Sequence, residues 1–349
     1  MQRDFNSILV TGNRGYIGSV LTEMLLGRGY EVVGFDTGFY DDVALYPIPE
    51  PTRQIRKDIR DAVSDDFAGI DAVIHLAALS NDPLGEFDSR LTEEINYEAT
   101  ANVAKLAKEA GAKRFVYAST QSIYGISKTD AELDEDESEK NPITAYAKTK
   151  WAAEQELKKL CSDDFFVICM RPSTVFGASP SLRCDIVFNA FVSSGYTTGN
   201  IEVKSDGTPW RPVVHVRDVS QAFIAGLEAP KELVQCQSFN VGIPNGNFTV
   251  KQLAEAAQAV VPGSSVVFTG ERGNDERTYR VGFKKILGVL KDYYKPEWTL
   301  EGGGRELAEM FKRVDFSEEQ FRGRACNRLR QIDYLMKAGK LDKDLRWNK

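Results

Sequence analysis

Along the first half of the chain, short unbroken apolar blocks alternate with longer stretches in which apolar residues return every three or four positions. Ile8 to Val10 form one such block, and Ile17, Val20, Leu21, Met24 and Leu25 then recur at helical spacing until Gly29 stops them. EVVGFD (31–36), DAVIHLAA (71–78), RFVYAST (114–120) and FFVICMRPS (165–173) repeat the block pattern. EINYEATANVAKLAKEAG (94–111) and AYAKTKWAAEQELKKL (145–160) repeat the helical one. Continuously apolar strands separated by helices predict a parallel sheet covered on both faces. The expected fold class is α/β, a doubly wound parallel sheet (Rossmann) with a smaller mixed α/β substrate-binding domain. Residues 1–172 are expected to form the nucleotide-binding domain, with 213–242 returning to it. Residues 173–212 and 243–349 would form the second domain and a helical tail.

Beyond Pro172 the pattern loosens and Gly, Pro and Arg become more frequent. The acidic run DAELDEDESEK (130–140) reads as a solvated loop, and the charged tail RLRQIDYLMKAGKLDKDLRWNK as an amphipathic segment packed on the surface. With 349 residues, 42% hydrophobic and 27% charged, the chain is long enough for a full core and more than one ordinary domain. No apolar run approaches the roughly 20 residues a membrane-spanning helix needs. The N-terminus enters a strand directly, without a signal-peptide pattern, so a cytoplasmic location is expected. Five scattered cysteines, none in a CxxC pair, predict reduced thiols, and two histidines leave no multi-histidine metal centre. A net charge of −7 opposes general nucleic-acid binding but not a local arginine pocket for a small anion.

Gly12, Gly15 and Gly18 place GxxGxxG between strand and helix, where the backbone can approach a diphosphate and the helix N-terminus faces it. Asp36 ends the second strand, where a carboxylate accepts hydrogen bonds from ribose hydroxyls and repels a 2′-phosphate. That predicts NAD rather than NADP. Asp58, with Ile59, either meets the adenine edge or caps a helix. Tyr146 and Lys150, four apart on one helix, project from the same face. An isolated tyrosine is a poor base at pH 7, and a nearby lysine cation stabilises its phenolate. His215 and Asp218 read as structural.

TGNRGYIG, HLAA, the Asn96 region, STQSIYG, YAKTK and GTPWRPVVHVRD, in this order and spacing, resemble the extended short-chain dehydrogenase/reductases. Within them the chain is most similar to the NAD-dependent nucleotide-sugar epimerases and dehydratases, over about residues 1–300. The resemblance implies that Arg14, Tyr16 and Ile17 in the turn, and Leu76, Ala77 and Ala78 after the HLAA strand, contact NAD. It implies Thr120, Tyr146 and Lys150 as the catalytic set, with Tyr146 exchanging the proton of the sugar O4 and Lys150 also holding the nicotinamide ribose. Ser80, Ser122, Thr174, Arg183, Arg211 and Arg277 would contact a nucleotide-diphosphate sugar, two of the arginines clamping its diphosphate.

Relatives that remove water across C5 and C6 carry Asp-Glu directly after the Thr, where this chain has Gln121 and Ser122. GDP-mannose 3,5-epimerase has a cysteine where Ser122 stands. The resemblance therefore implies chemistry at C4 alone, as a 4-epimerase, with a 4-dehydrogenase or 4-ketoreductase as the alternative suggested by TVFGASPSLRCDIV. Thr174 stands where the epimerases usually have Asn. A non-catalytic NAD-binding scaffold is the reading from a different class, opposed by the presence of both Tyr146 and Lys150. Helices 94–111 and 145–160 would pair across a homodimer.

Overall fold

The computed structural model describes residues 5–80, 82–126, 131–269 and 278–348. Its strands in chain order are β1 Ser7–Thr11, β2 Glu31–Asp36, β3 Arg53–Arg56, β4 Ala72–His75, β5 Arg114–Ala118, β6 Glu132–Leu133 and β7 Phe166–Pro172. They continue with β8 Thr174–Phe176, β9 Asn200–Val203, β10 Trp210–His215, β11 Ser238–Val241, β12 Asn247–Thr249, β13 Ser265–Phe268 and β14 Arg280–Val281. Seven of them make one parallel sheet in the order β11-β7-β5-β4-β1-β2-β3. The order reverses between β1 and β4, so the crevice beyond their C-terminal ends is the place where such a sheet takes a ligand. Every residue of β1, β4 and β5 is buried, which explains why their apolar residues run on without alternating with polar ones.

The chain leaves this sheet after β7 and comes back to it. Helix Val216–Glu228 packs on the sheet with buried Val219, Ala222, Phe223 and Leu227, and β11 then pairs with β7. β8, β10 and β12 form a three-stranded sheet beside the helices Val187–Thr198, Val250–Val260 and Leu300–Arg313.

Helices and loops differ from expectation in instructive places. The helix expected to begin at residue 94 begins at Ser89, capped by Asp88, and runs through a π-helical stretch at Glu94–Ala99. A π segment is a frequent mark of a functional position. Here it aims Asn96 inwards, where it accepts from the Leu79 amide (2.8 Å) and donates to the Leu79 carbonyl (3.1 Å).

The acidic run is not simply solvated. β6 pairs with β14, Leu133 is buried, and the buried Glu135 accepts from the Asn240 amide at 2.7 Å. The tail is not merely a surface layer either. In helix Arg328–Lys337 the side chains of Arg328, Gln331, Ile332 and Leu335 are buried, as are Leu341 and Leu345 beyond it. Ile332, Leu335, Leu341 and Leu345 join the core on the Phe35 side of the main sheet.

Cys161 and Cys236 are joined in a disulfide, against the expectation of reduced thiols throughout, while Cys169, Cys184 and Cys326 are free and buried. Their 75-residue separation hides the pairing in sequence, but Cys161 precedes β7 and Cys236 precedes β11, and those strands are neighbours. Among the described residues no helix is long and apolar enough to cross a membrane.

Candidate active site

One cleft, with a volume of ≈ 670 Å³, runs along the C-terminal ends of the sheet strands. At one end lie Asp36, Asp58 and Ile59, in the middle Gly12, Gly15 and Gly18, and at the other Thr120, Tyr146 and Lys150. The Gly-rich turn needs its glycines. Gly12 has φ +71°, and a Cβ there would stand 2.9 Å from the Ala77 nitrogen, while one on Gly18 would strike the Gly12 carbonyl. The turn is held from below by Thr11, whose hydroxyl accepts from the amides of Leu76 and Ala77 at 3.2 Å each and meets His75 Nδ1 at 2.9 Å. The His75 ring is buried against Thr100, and burial pushes its pKa down to about 3, so it is a neutral hydrogen-bonding spacer.

Asp36 is fixed by two amides, accepting from Gly38 N at 2.7 Å and Arg14 N at 3.1 Å. Burial raises its pKa and the two amides pull against that rise. Arg14 hydrogen-bonds Asp36 through this amide alone. Its guanidinium turns out of the cleft to Asp41 (2.6 Å) and Glu50 (3.2 Å). Asp58 behaves as the cap that the sequence left open, accepting from the Arg60 amide at 2.8 Å and pairing with the Arg60 guanidinium at 2.7 Å.

The chemical end is built by β5 and helix Ala145–Lys158. Thr144 caps that helix, accepting from Ala147 N at 3.2 Å and donating to Asp82 at 2.6 Å. Lys150 is 2% exposed and donates to the Ala118 carbonyl at 2.7 Å, and burial lowers its pKa to about 7. Tyr146 is pushed up to about 12 by loss of water, with the Thr120 hydroxyl pulling it back. Thr120 also accepts from Ser122 N at 3.1 Å, starting the short turn Gln121–Tyr124.

Gln121 is fully committed: its amide donates to the carbonyls of Arg171 (3.0 Å) and Val241 (3.3 Å), and its oxygen accepts from Ser173 at 3.2 Å. Below this set, the buried Glu154 binds Arg171 (2.5 Å), Ser119 (2.8 Å) and Ser238 (2.7 Å), riveting the helix to β5, β7 and β11.

Of the expected contact residues, Tyr16, Ile17, Leu76, Ala77, Ala78, Ser80, Ser122, Thr174, Arg183 and Arg211 line the same cleft, and Arg277 lies outside the described residues. Arg183 donates to Ser80 at 3.2 Å and pairs with Asp185 through both ends of its fork, at 3.0 and 2.9 Å. His215 lies outside the cleft, stacked on Trp298 and bonded to Glu306 at 2.9 Å, and Asp218 holds the amides of Glu297 and Trp298. The sequence reading missed Tyr40, Asp185 and Arg328, which also line the cleft. The buried stripe 328, 331, 332, 335 has the spacing of an inward helix face, which was the available signal.

The residues present fit a dinucleotide: a backbone cradle that a Cβ would fill, a carboxylate at the end of β2 on one side, and partly buried Tyr146 with buried Lys150 on the other. The family model for the NAD dependent epimerase/dehydratase family matches residues 8–242. The UDP-glucose 4-epimerase of Bacillus subtilis (strain 168) is 30% identical over 73% of this chain and 82% of its own. UDP-glucuronic acid decarboxylase 1 of Arabidopsis thaliana is 27% identical over 90% of this chain and 72% of its own. Among solved structures, MoeE5 in complex with UDP-glucuronic acid and NAD superposes with a TM-score of 0.75 at 26% identity, over 88% of this chain and 99% of that one. With its strand order, its glycine cradle and a family match across most of the sheet, the chain belongs to the NAD dependent epimerase/dehydratase family.

Proposed function

We propose that the chain is a nucleotide-sugar 4-epimerase, with Thr120, Tyr146 and Lys150 as its catalytic residues. The observation that carries this reading is that Tyr146 stands beside Thr120, and that neither of the two residues following Thr120 can act as a second acid–base group. Gln121 is tied into backbone carbonyls, and Ser122 is a hydroxyl without a carboxylate or thiolate function. Dehydration across C5 and C6, or proton abstraction at C3 and C5, needs such a second group.

Thr120 orients the sugar O4 hydroxyl towards Tyr146, which takes its proton as the C4–H bond breaks. The Lys150 ammonium offsets the phenolate charge, and lowers the cost of forming it in a site that water has left. When bound, NAD supplies reversible acceptance of the C4 hydride. Tyr146 returns its proton to O4 after the sugar has presented its other face, so the net reaction changes configuration and not oxidation state. Arg211 and Arg183 are assigned to the diphosphate and sugar of the substrate, and Ser80, Ser122 and Thr174 to the sugar.

A second reading, net oxidation or reduction at C4, rests on the resemblance of TVFGASPSLRCDIV to nucleotide-sugar 4-dehydrogenases. A decarboxylase, as in the Arabidopsis relative, would use the same C4 step on a sugar carrying a C5 carboxylate. Turnover of UDP-, dTDP-, GDP- and CDP-sugars, including hexuronates, separates these readings. Run in deuterated buffer, a 4-epimerase forms the C4 epimer with no deuterium on carbon. Stoichiometric NADH would point to the dehydrogenase, CO₂ release with solvent deuterium at C5 to the decarboxylase, and deuterium at C3, or at C5 without loss of CO₂, would contradict the 4-epimerase.

We further propose a homodimer formed by the helices containing 100–109 and 145–158. Their outward stripes are mostly polar: Glu98, Asn102, Lys105 and Glu109 on one, Lys148, Gln155 and Lys159, with Ala152, on the other. Both signs are present, which supports a charge-matched association over an apolar one.

A further inference from the structure

Arg328 opens the helix Arg328–Lys337, yet it is 4% exposed and faces the cleft more than 300 residues away from the Gly-rich turn in sequence. A cation at a helix N-terminus works against the helix dipole, and a buried cation needs an anion or a full set of acceptors. Among the described residues no carboxylate lies within ion-pair distance of it; the neighbouring Asp185 is held by both ends of the Arg183 fork. What Arg328 does have is a platform and a tether. Its guanidinium lies 3.9 Å over the Tyr40 ring, and it donates to the Ser181 carbonyl at 2.6 Å.

Both supports belong to the cofactor end of the cleft. Ser181 donates its hydroxyl to the Arg14 carbonyl, inside the Gly-rich turn, at 2.7 Å. Tyr40 sits in the loop that Asp36 begins. The same helix grips that loop again through Gln331, which donates to the Phe39 carbonyl (2.8 Å) and to Asp42 (2.7 Å). Beyond the helix, Trp347 donates to the Thr37 carbonyl at 2.9 Å. The guanidinium is thus held over an aromatic ring at the lining of the cleft and linked through Ser181 to the backbone of the Gly-rich turn.

We propose that Arg328 is a cofactor-binding residue that engages the diphosphate of the dinucleotide, so that the C-terminal helix forms part of the NAD site. A planar guanidinium already stacked and tethered has little freedom left to lose on binding, and its fork matches phosphate oxygens. Burial is the largest influence and, with repulsion from Arg183, outweighs the opposing pull of Tyr40 and Asp185, so its proton is held less firmly than in an ordinary arginine, a cost that an entering diphosphate relieves. The proposal rests on the reading of the cleft as an NAD site and is independent of which sugar is turned over.

The test uses the full chain freed of bound nucleotide, with calorimetric titration of adenosine, ADP-ribose, NAD and the diphosphates UDP, GDP, dTDP and CDP. Arg328→Met keeps the length of the side chain and removes its charge. It is expected to weaken ADP-ribose and NAD at least about tenfold, as loss of a charge-assisted hydrogen bond does, and to leave adenosine and the free nucleoside diphosphates within about twofold. Arg328→Lys should fall between, since it keeps the charge without the fork. Tyr40→Leu, which removes only the platform, should give the same pattern more weakly and serves if the arginine variants do not fold. Equal weakening of adenosine and ADP-ribose would mean a structural role and overturn the proposal. So would a loss confined to the free nucleoside diphosphates, or no loss at all. If NAD fails to bind the unmodified protein, the cofactor reading itself is wrong.

Discussion

Lys150 donates to the Ala118 carbonyl across 2.7 Å, tying the middle of helix Ala145–Lys158 to the last residue of β5. The bond fixes the ammonium at the end of the strand that also delivers Thr120, so the acid–base group and its orienting hydroxyl meet where the sheet opens. The same burial makes the free protein carry a cation it would be more stable without. Lys150 is charged in the unfolded chain up to a pKa of 10.5 but in the folded one only up to about 7. Below pH 7 the full desolvation cost is present, and it fades as pH rises towards 10.5. Lys150→Met is therefore expected to stabilise the ligand-free protein at pH 6 by a few kcal/mol, a shift of one pKa unit being worth ~1.4 kcal/mol. The gap should narrow steadily above pH 7. Equal urea midpoints for the two proteins at pH 6 would contradict this.

Glu154 makes the opposite prediction. It and Arg171 are both essentially unexposed and joined at 2.5 Å. Glu154→Ala leaves a buried guanidinium without its carboxylate, a loss of about 3–5 kcal/mol. Adding Arg171→Met should recover part of it, because the cost lies in the stranded charge. A single variant as stable as the parent, measured by urea denaturation, would show that the pair does not hold the helix.

Cofactor selection is expected to depend on Asp36 and on pH. Its carboxylate repels a 2′-phosphate only while ionised, and burial raises its pKa. Discrimination between NAD and NADP should therefore weaken as pH falls, and Asp36→Ala should shrink the affinity ratio at least about tenfold, the worth of ~1.4 kcal/mol. Titration calorimetry at neutral and acidic pH checks both. An unchanged ratio in the variant would remove Asp36 from the selection.

The central sheet was legible because its strands are buried on both faces, so β1, β4 and β5 carry apolar residues without alternation. The glycine turn and the Tyr146/Lys150 pair were legible because spacing alone places them. The tail was not. Two of the four inward positions of its helix are Arg328 and Gln331, so a reading based on apolar periodicity scored it as surface. Its attachments, Trp347 to Thr37 and Arg346 to Asp61, join residues that are remote in sequence. Glu135 was hidden for a similar reason: nothing in an acidic run says which carboxylate meets the Asn240 amide. Asp58 was left between two roles because a cap and an adenine contact demand the same residue type.

The dimer proposal predicts a salt effect. With charged outward stripes on both helices, association should weaken several-fold between roughly 0.05 and 0.5 M salt, as the screening length falls from more than ~10 Å to less than ~5 Å. Light scattering across that range decides it. A monomer of 38.9 kDa at low salt and micromolar concentration would end the proposal.

The most direct test of the account is Tyr146→Phe, assayed on whichever nucleotide sugar the native chain turns over. The ring and its packing stay, and only the hydroxyl that exchanges the O4 proton is lost. The account predicts a fall in turnover of about 10² to 10⁴ with NAD affinity preserved. Turnover at the native rate would contradict it.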